Sequence, residues 1–107
     1  IKVPSGALIA ITYFDDAAPP VLSVRLQEMF GLTDTPVINN GQTTLLLHLL
    51  SPGFKPMQIT SDLKSFWNNT YFEVKKELKR RYPKHSWPDD PLSAQAVSGV
   101  DRNRRKK

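Results

Sequence analysis

Apolar positions along the chain fall into stretches of different period. Residues 7–14 (ALIAITYF) combine β-branched, aromatic and aliphatic side chains, the composition of a strand. Asp15-Asp16 and Pro19-Pro20 then interrupt any regular element. Ser23 is placed to cap a short helix in which Leu26, Met29 and Phe30 form an inward stripe and Gly31 supplies the stop. The alternative for residues 21–26 is an extended segment. Residues 43–51 (TTLLLHLLS) are apolar on both faces, which predicts a central strand covered on both sides. Asn40-Gly41 before them is a two-residue turn, since both types tolerate positive φ. Pro52-Gly53 makes a second turn, and residues 57–60 return as a short strand that Pro56 assigns to an edge.

Beyond residue 60 the period changes to that of a helix. Leu63, Phe66 and Trp67 stand at i, i+3 and i+4, with Thr60 or Ser61 as cap and Asp62 at the positive end. A second helix opens on Thr70-x-x-Glu73, the spacing of a capping box. Tyr71, Val74, Leu78 and Tyr82 line one stripe of it, and Pro83 ends it. From about Gln95 the chain turns small, polar and charged, the composition of a disordered tail. The expected class is α+β: a small, mainly antiparallel sheet, a short helix and two C-terminal helices, then a basic tail. The expected division is a domain over residues 1–92 and a flexible tail over 93–107.

The length, 107 residues, suits one core and is too short for two. The chain opens on Ile1 rather than Met, which is expected of a chain processed or excised from a longer one. No signal peptide is legible, and the longest apolar run, residues 45–50, is far too short to span a bilayer. With no cysteine, disulfides and thiolate metal sites are excluded, and a cytoplasmic setting is the expectation.

Charge is segregated along the chain. Residues 1–74 hold four cations against six acids, whereas residues 75–107 hold eleven against four. That asymmetry predicts a polyanionic partner for the C-terminal third, RNA or single-stranded nucleic acid rather than membrane. Lys75, Lys76, Lys79 and Arg80 lie mostly off the apolar stripe of the second helix, Arg81 and Lys84 follow, and Arg102, Arg104 and Arg105 repeat the sign in the tail. These are the candidate phosphate contacts, which add affinity and salt sensitivity without reading sequence. A solvated helix face, or a face docked on an acidic protein surface, uses the same residues. Trp87, framed by Pro83, Pro88 and Pro91, is a weaker candidate for stacking on a base. Its plainer role is to anchor an extended segment.

No catalytic constellation is legible. The chain has no G-x-x-x-x-G-K-[ST] loop, no G-x-G-x-x-G, no H-E-x-x-H and no G-x-S-x-G. His48, inside an apolar strand, is expected to be buried and hydrogen-bonded, and His85 lies in a Pro-rich loop with no nucleophile to serve. Asp89 and Asp90 are expected in a turn or in a salt bridge to the basic cluster, more than in a metal site. No catalytic residue, metal ligand or cofactor site is therefore assigned.

The segments SVRLQEMFG (23–31), HLLSPGFKPMQIT (48–60) and DLKSFWNNTYFEVKKELKRRYPKHSWPDDP (62–91) resemble the C-terminal region of bacterial HrpB helicases, over roughly residues 4–92. Thr12 departs from that pattern, where an Asp is expected. The resemblance implies a DEAH-related helicase of superfamily 2, whose two RecA-like domains bind ATP and magnesium and unwind RNA. Those domains would lie in the rest of the helicase chain, so no catalytic residue carries over. What it implies here is a non-catalytic accessory module. Its partners would be RNA and the rest of the helicase chain; the alternative is docking on protein, with no RNA contact.

Overall fold

Period-two patterning wins over the helix expected at Ser23. Leu22 and Val24 alternate with Ser23 and Arg25, so an extended chain sends both aliphatic side chains to one face, where they are buried. The result is strand β1 (Val21–Arg25), and Ser23 caps nothing. A 3₁₀ turn (Leu26–Met29) follows with all four residues buried, and Gly31 ends it at φ +90°, a conformation that a Cβ disfavours. The computed structural model describes residues 1–15, 17–85 and 87–97.

The Asn-Gly turn forms as expected. Asn40 and Gly41 have φ of +56° and +84°, and Gln42 N–H donates to the Asn39 carbonyl at 3.1 Å. It joins β2 (Val37–Ile38) to β3 (Thr43–Thr44) in antiparallel register. The single strand expected over residues 43–51 is broken at Leu45, whose N–H turns to the Pro36 carbonyl while its side chain is fully buried. Strand β4 (Leu46–Leu50) then lies at the centre of a three-stranded sheet. It pairs parallel with β1 and antiparallel with the edge strand β5 (Pro56–Thr60), so antiparallel pairings predominate.

The two faces of this sheet are buried to different degrees. Leu22, Val24, Leu47 and Leu49 are buried on the inner face, whereas Leu46, His48 and Leu50 are half-buried on the outer one. His48 sits in register between Ser23 and the exposed Ile59, so it is not the enclosed residue expected from its apolar neighbours. Residues 7–14 form no strand either. Thr12 exchanges two hydrogen bonds with Val21, but Pro19 and Pro20 have no N–H with which to extend the pairing. Ala7, Ile9 and Ile11 pack on the core while Leu8 is exposed.

The two helices expected from the sequence run into one another. Asp62 caps α1 (Leu63–Ser65) by accepting from Ser65 N–H at 3.0 Å, and Thr60 Oγ1 accepts from Asp62 N–H. A π-helical turn (Phe66–Thr70) leads directly into α2 (Tyr71–Arg81). Thr70 therefore has helical dihedrals (φ −75°, ψ −31°), and its side chain makes no capping bond. The wider turn, in which Tyr71 N–H donates to the Phe66 carbonyl, brings Phe66, Trp67 and Tyr71 onto one buried side.

Phe30 lies at the centre of the aromatic core, with ring centroids 5.9 Å from Trp67, 6.2 Å from Tyr71 and 6.5 Å from Trp87. Each polar handle is satisfied: Trp67 Nε1 donates to Leu32, Tyr71 Oη to Pro88 and Trp87 Nε1 to Tyr82 carbonyls. Ala94 and Ala96 pack on this core, and Val97 N–H donates to the Gln27 carbonyl, so the packed chain continues past the expected boundary at 92. The remainder of the expected tail, residues 98–107, lies outside the described residues.

Tyr82 also bonds Ser51 (3.3 Å), and a Cβ at Gly53 would meet Tyr82 Oη at 2.8 Å. Gly53→Ala is expected to destabilise the protein by about 1–3 kcal/mol through overpacking. In a Tyr82→Phe background the same change should cost less. A denaturation double-mutant cycle checks this; additive costs would contradict it.

Candidate nucleic-acid interface

Helix α2 is held by its buried stripe, with Tyr71 and Leu78 fully buried and Val74 and Tyr82 partly so. Its other faces carry the cations, but the helix does not present them equally. Lys75 lies beside the stripe: its side chain is only 13% exposed, and its ammonium pairs with Asp89 in the returning segment. It is thus turned into the domain rather than towards a ligand. Lys76 is exposed, with Glu73 at 4.0 Å. Arg80 and Arg81 share Glu77, Arg81 through Nε at 2.8 Å. Among the described residues, Lys79 and Lys84 have no ion pair within 4.0 Å. Six cations thus face three carboxylates, Glu73, Glu77 and Asp89. The pairs on the helix surface are exposed and hold little energy, so a phosphate can compete for their cations.

Lys76, Lys79 and Arg80 stand at i, i+3 and i+4, one arc of the helix opposite the stripe. Phe72, 43% exposed, is on the same arc, seven residues before Lys79. An exposed ring beside cations has the chemistry to stack on a base, and the sequence pattern does not mark it, since nothing local separates Phe72 from its core neighbours Tyr71 and Val74. Trp87, the stacking candidate from sequence, is instead only 8% exposed, against Phe30 and His85. It is an anchor. Arg102, Arg104 and Arg105 lie outside the described residues.

The adjacent acids divide their work as expected. Asp89 pairs with Lys75, and Asp90 holds a turn by accepting from Ser93 Oγ at 2.7 Å and Leu92 N–H at 3.2 Å. Among the described residues no three His or acidic side chains converge as metal ligands, and no helix is long and apolar enough to cross a membrane. A further network lies at the other end of the sheet. Glu28, 3% exposed, accepts from Arg25 and from Ser5 Oγ, and the Arg25 guanidinium lies 4.6 Å from the Phe54 ring centroid. None of these four residues stands out as a network in the sequence, since Ser5 and Phe54 reach Arg25 and Glu28 only through the fold.

The hydrogen bond from Lys75, and then its charge, hold the Asp89 carboxyl below its ordinary 3.8, with Lys79 adding to the effect. A depressed folded value means that the stabilisation is complete above the unfolded value and is lost as pH falls through the folded one. Asp89→Asn is therefore expected to lower stability near neutral pH, with the gap to wild type closing as pH drops below about 3.8. Urea unfolding across that range reads it; a gap that persists in acid would contradict the pairing.

A family described as the ATP-dependent helicase C-terminal region, HrpB_C, matches residues 1–91. The ATP-dependent RNA helicase HrpB of Escherichia coli (strain K12) is 57% identical over 91 residues, which are 85% of this chain and 11% of that protein. A crystal structure of the E. coli DExH-box NTPase HrpB superposes with a TM-score of 0.86 at 51% identity, covering 94% of this chain and 12% of that one. A second, of the E. coli DEAH/RHA helicase HrpB, gives 0.60 at 52% identity, over 81% of this chain and 11% of that one. The chain thus spans about a tenth of the length of the relatives that it matches. It belongs to the HrpB family, and within that family to the ATP-dependent helicase C-terminal region.

Proposed function

We propose that this chain is a non-catalytic accessory module of an ATP-dependent RNA helicase, and that its exposed basic arc adds sequence-nonspecific contacts to single-stranded RNA. The ATP and magnesium chemistry belongs, on this reading, to the rest of the helicase chain. The observation that carries the RNA contact is the placement of Lys76, Lys79 and Arg80 on one exposed arc with Phe72, on a helix fixed by its opposite face. Lys79 and Lys84 are the strongest phosphate contacts, having no carboxylate within 4.0 Å among the described residues. Lys76, Arg80 and Arg81 exchange an exposed carboxylate for a phosphate. Lys75 is kept out by Asp89.

A second reading, docking on protein, is favoured by one different observation. Phe54, in the turn between β4 and β5, and Ile59, beside His48 on the outer face of the sheet, are 64% and 56% exposed. That face would pack on the rest of the helicase chain, leaving the basic arc to solvent.

The two readings separate in the full-length protein. Lys79→Glu/Lys84→Glu is expected to weaken binding to single-stranded RNA and to flatten the slope of log affinity against log salt by roughly 0.7 for each phosphate no longer neutralised. Equilibrium binding between roughly 50 and 200 mM salt measures both. An unchanged slope, with Ile59→Asp releasing the C-terminal region to protease, would favour docking and overturn the RNA contact.

A further inference from the structure

Where α2 ends, the chain builds a small cavity that the basic arc does not use. It has a volume of about 270 Å³ and is lined by Arg81, Tyr82, Pro83, Lys84 and His85. That is slightly below the ~300–1,000 Å³ of sites for drug-sized ligands, and it suits one planar group. We propose that this cavity receives a single nucleobase of the bound RNA strand, with Lys84 and Arg81 on the flanking phosphates. The inference rests on the RNA reading above and names the position at which a base is held.

The walls are fixed before any ligand arrives. Tyr82 is tied at three points: its N–H donates to Leu78, its carbonyl accepts from Trp87 Nε1, and its hydroxyl bonds Ser51 Oγ. The His85 N–H donates to the same Tyr82 carbonyl at 3.1 Å, closing the turn around Pro83. The His85 ring stands edge-on to Tyr82 at 5.9 Å and tilted over Trp87 at 6.0 Å. An aromatic and prolyl lining offers a base flat apolar surface at little ordering cost. Charge points to a nucleotide rather than to an apolar peptide side chain. Arg81 is more than half exposed with its Nε on Glu77, and Lys84 has no carboxylate within 4.0 Å among the described residues. Base stacking with neighbouring phosphate contacts is how single strands are held without sequence preference. Trp87 thus contributes from beneath, by supporting His85, rather than as the stacking surface itself.

The test is ultraviolet cross-linking of the full-length protein to oligouridylate, with the attached peptides identified by mass spectrometry. Attachment within residues 82–85 is expected, and it should fall roughly tenfold in His85→Ala, as the loss of one stacked base implies. Attachment to the helicase core serves as the internal control that the variant is folded. In the wild-type protein, replacing the uridines by abasic residues should abolish attachment at 82–85. Attachment at Phe72 with none at 82–85 would overturn the cavity while leaving the basic arc as an RNA contact. Absence of attachment anywhere in residues 1–97, with the core cross-linked, would overturn both.

Discussion

The contact between Phe30 and the rings of Trp67, Tyr71 and Trp87 holds the rest of the molecule in register. Phe30 comes from the turn after β1, Trp67 and Tyr71 from the helical run, and Trp87 from the returning segment, so one cluster joins sheet, helix and loop. The π-helical turn puts Trp67 and Tyr71 on the same buried side. Once Tyr71 is seated, its hydroxyl pins the Pro88 carbonyl, and the segment that follows places Asp89 over Lys75. The rotation of α2 about its axis, and with it the set of cations that face solvent, is therefore fixed by aromatic packing and not by charge.

That dependence explains why the basic helix is less cationic than its sequence. Glu73 and Glu77 sit one turn from the cations they meet, and Asp89 arrives from fourteen residues beyond Lys75. Pairs at i, i+3 and i+4 on an exposed helix contribute a few tenths of a kcal/mol each and open readily to a better anion. Basic residues in the last turn also complement the partial negative charge at the helix end, which is sufficient reason for Lys79, Arg80 and Arg81 as far as folding goes. The helix end does not account for the ammonium of Lys84, which meets no carboxylate within 4.0 Å among the described residues, or for the exposure of the Phe72 ring, which meets Tyr71 edge-on at 5.4 Å.

Much of the fold was legible because its signals are local. The Asn40-Gly41 turn, the Gly31 stop, Pro56 at the edge strand and the stripe from Leu63 to Leu78 depend on spacing or on a residue's own φ preference. The misreadings concern choices that distant partners decide. Ser23 looked like a helix cap until β4 offered β1 a parallel neighbour, and Thr70 looked like a cap because nothing local announces a π turn. His48 seemed enclosed because leucines flank it, yet it is only half-buried and its neighbour on β5, Ile59, is exposed. Of the candidate site, the set of cations was readable and their availability was not. Lys75 is withdrawn by one carboxylate and Trp87 by one aromatic cluster, both assembled across the fold. Gln27, whose buried amide has no hydrogen-bond partner among the described residues, was equally invisible to patterning.

The most direct measurement is hydrogen–deuterium exchange of the full-length protein with and without saturating single-stranded RNA. An exposed basic arc carried on a rigid helix predicts slower exchange across residues 76–85 on binding and no change across 54–60. Unaltered exchange at 76–85, in a protein that has demonstrably bound RNA elsewhere, would contradict a nucleic-acid role for this module.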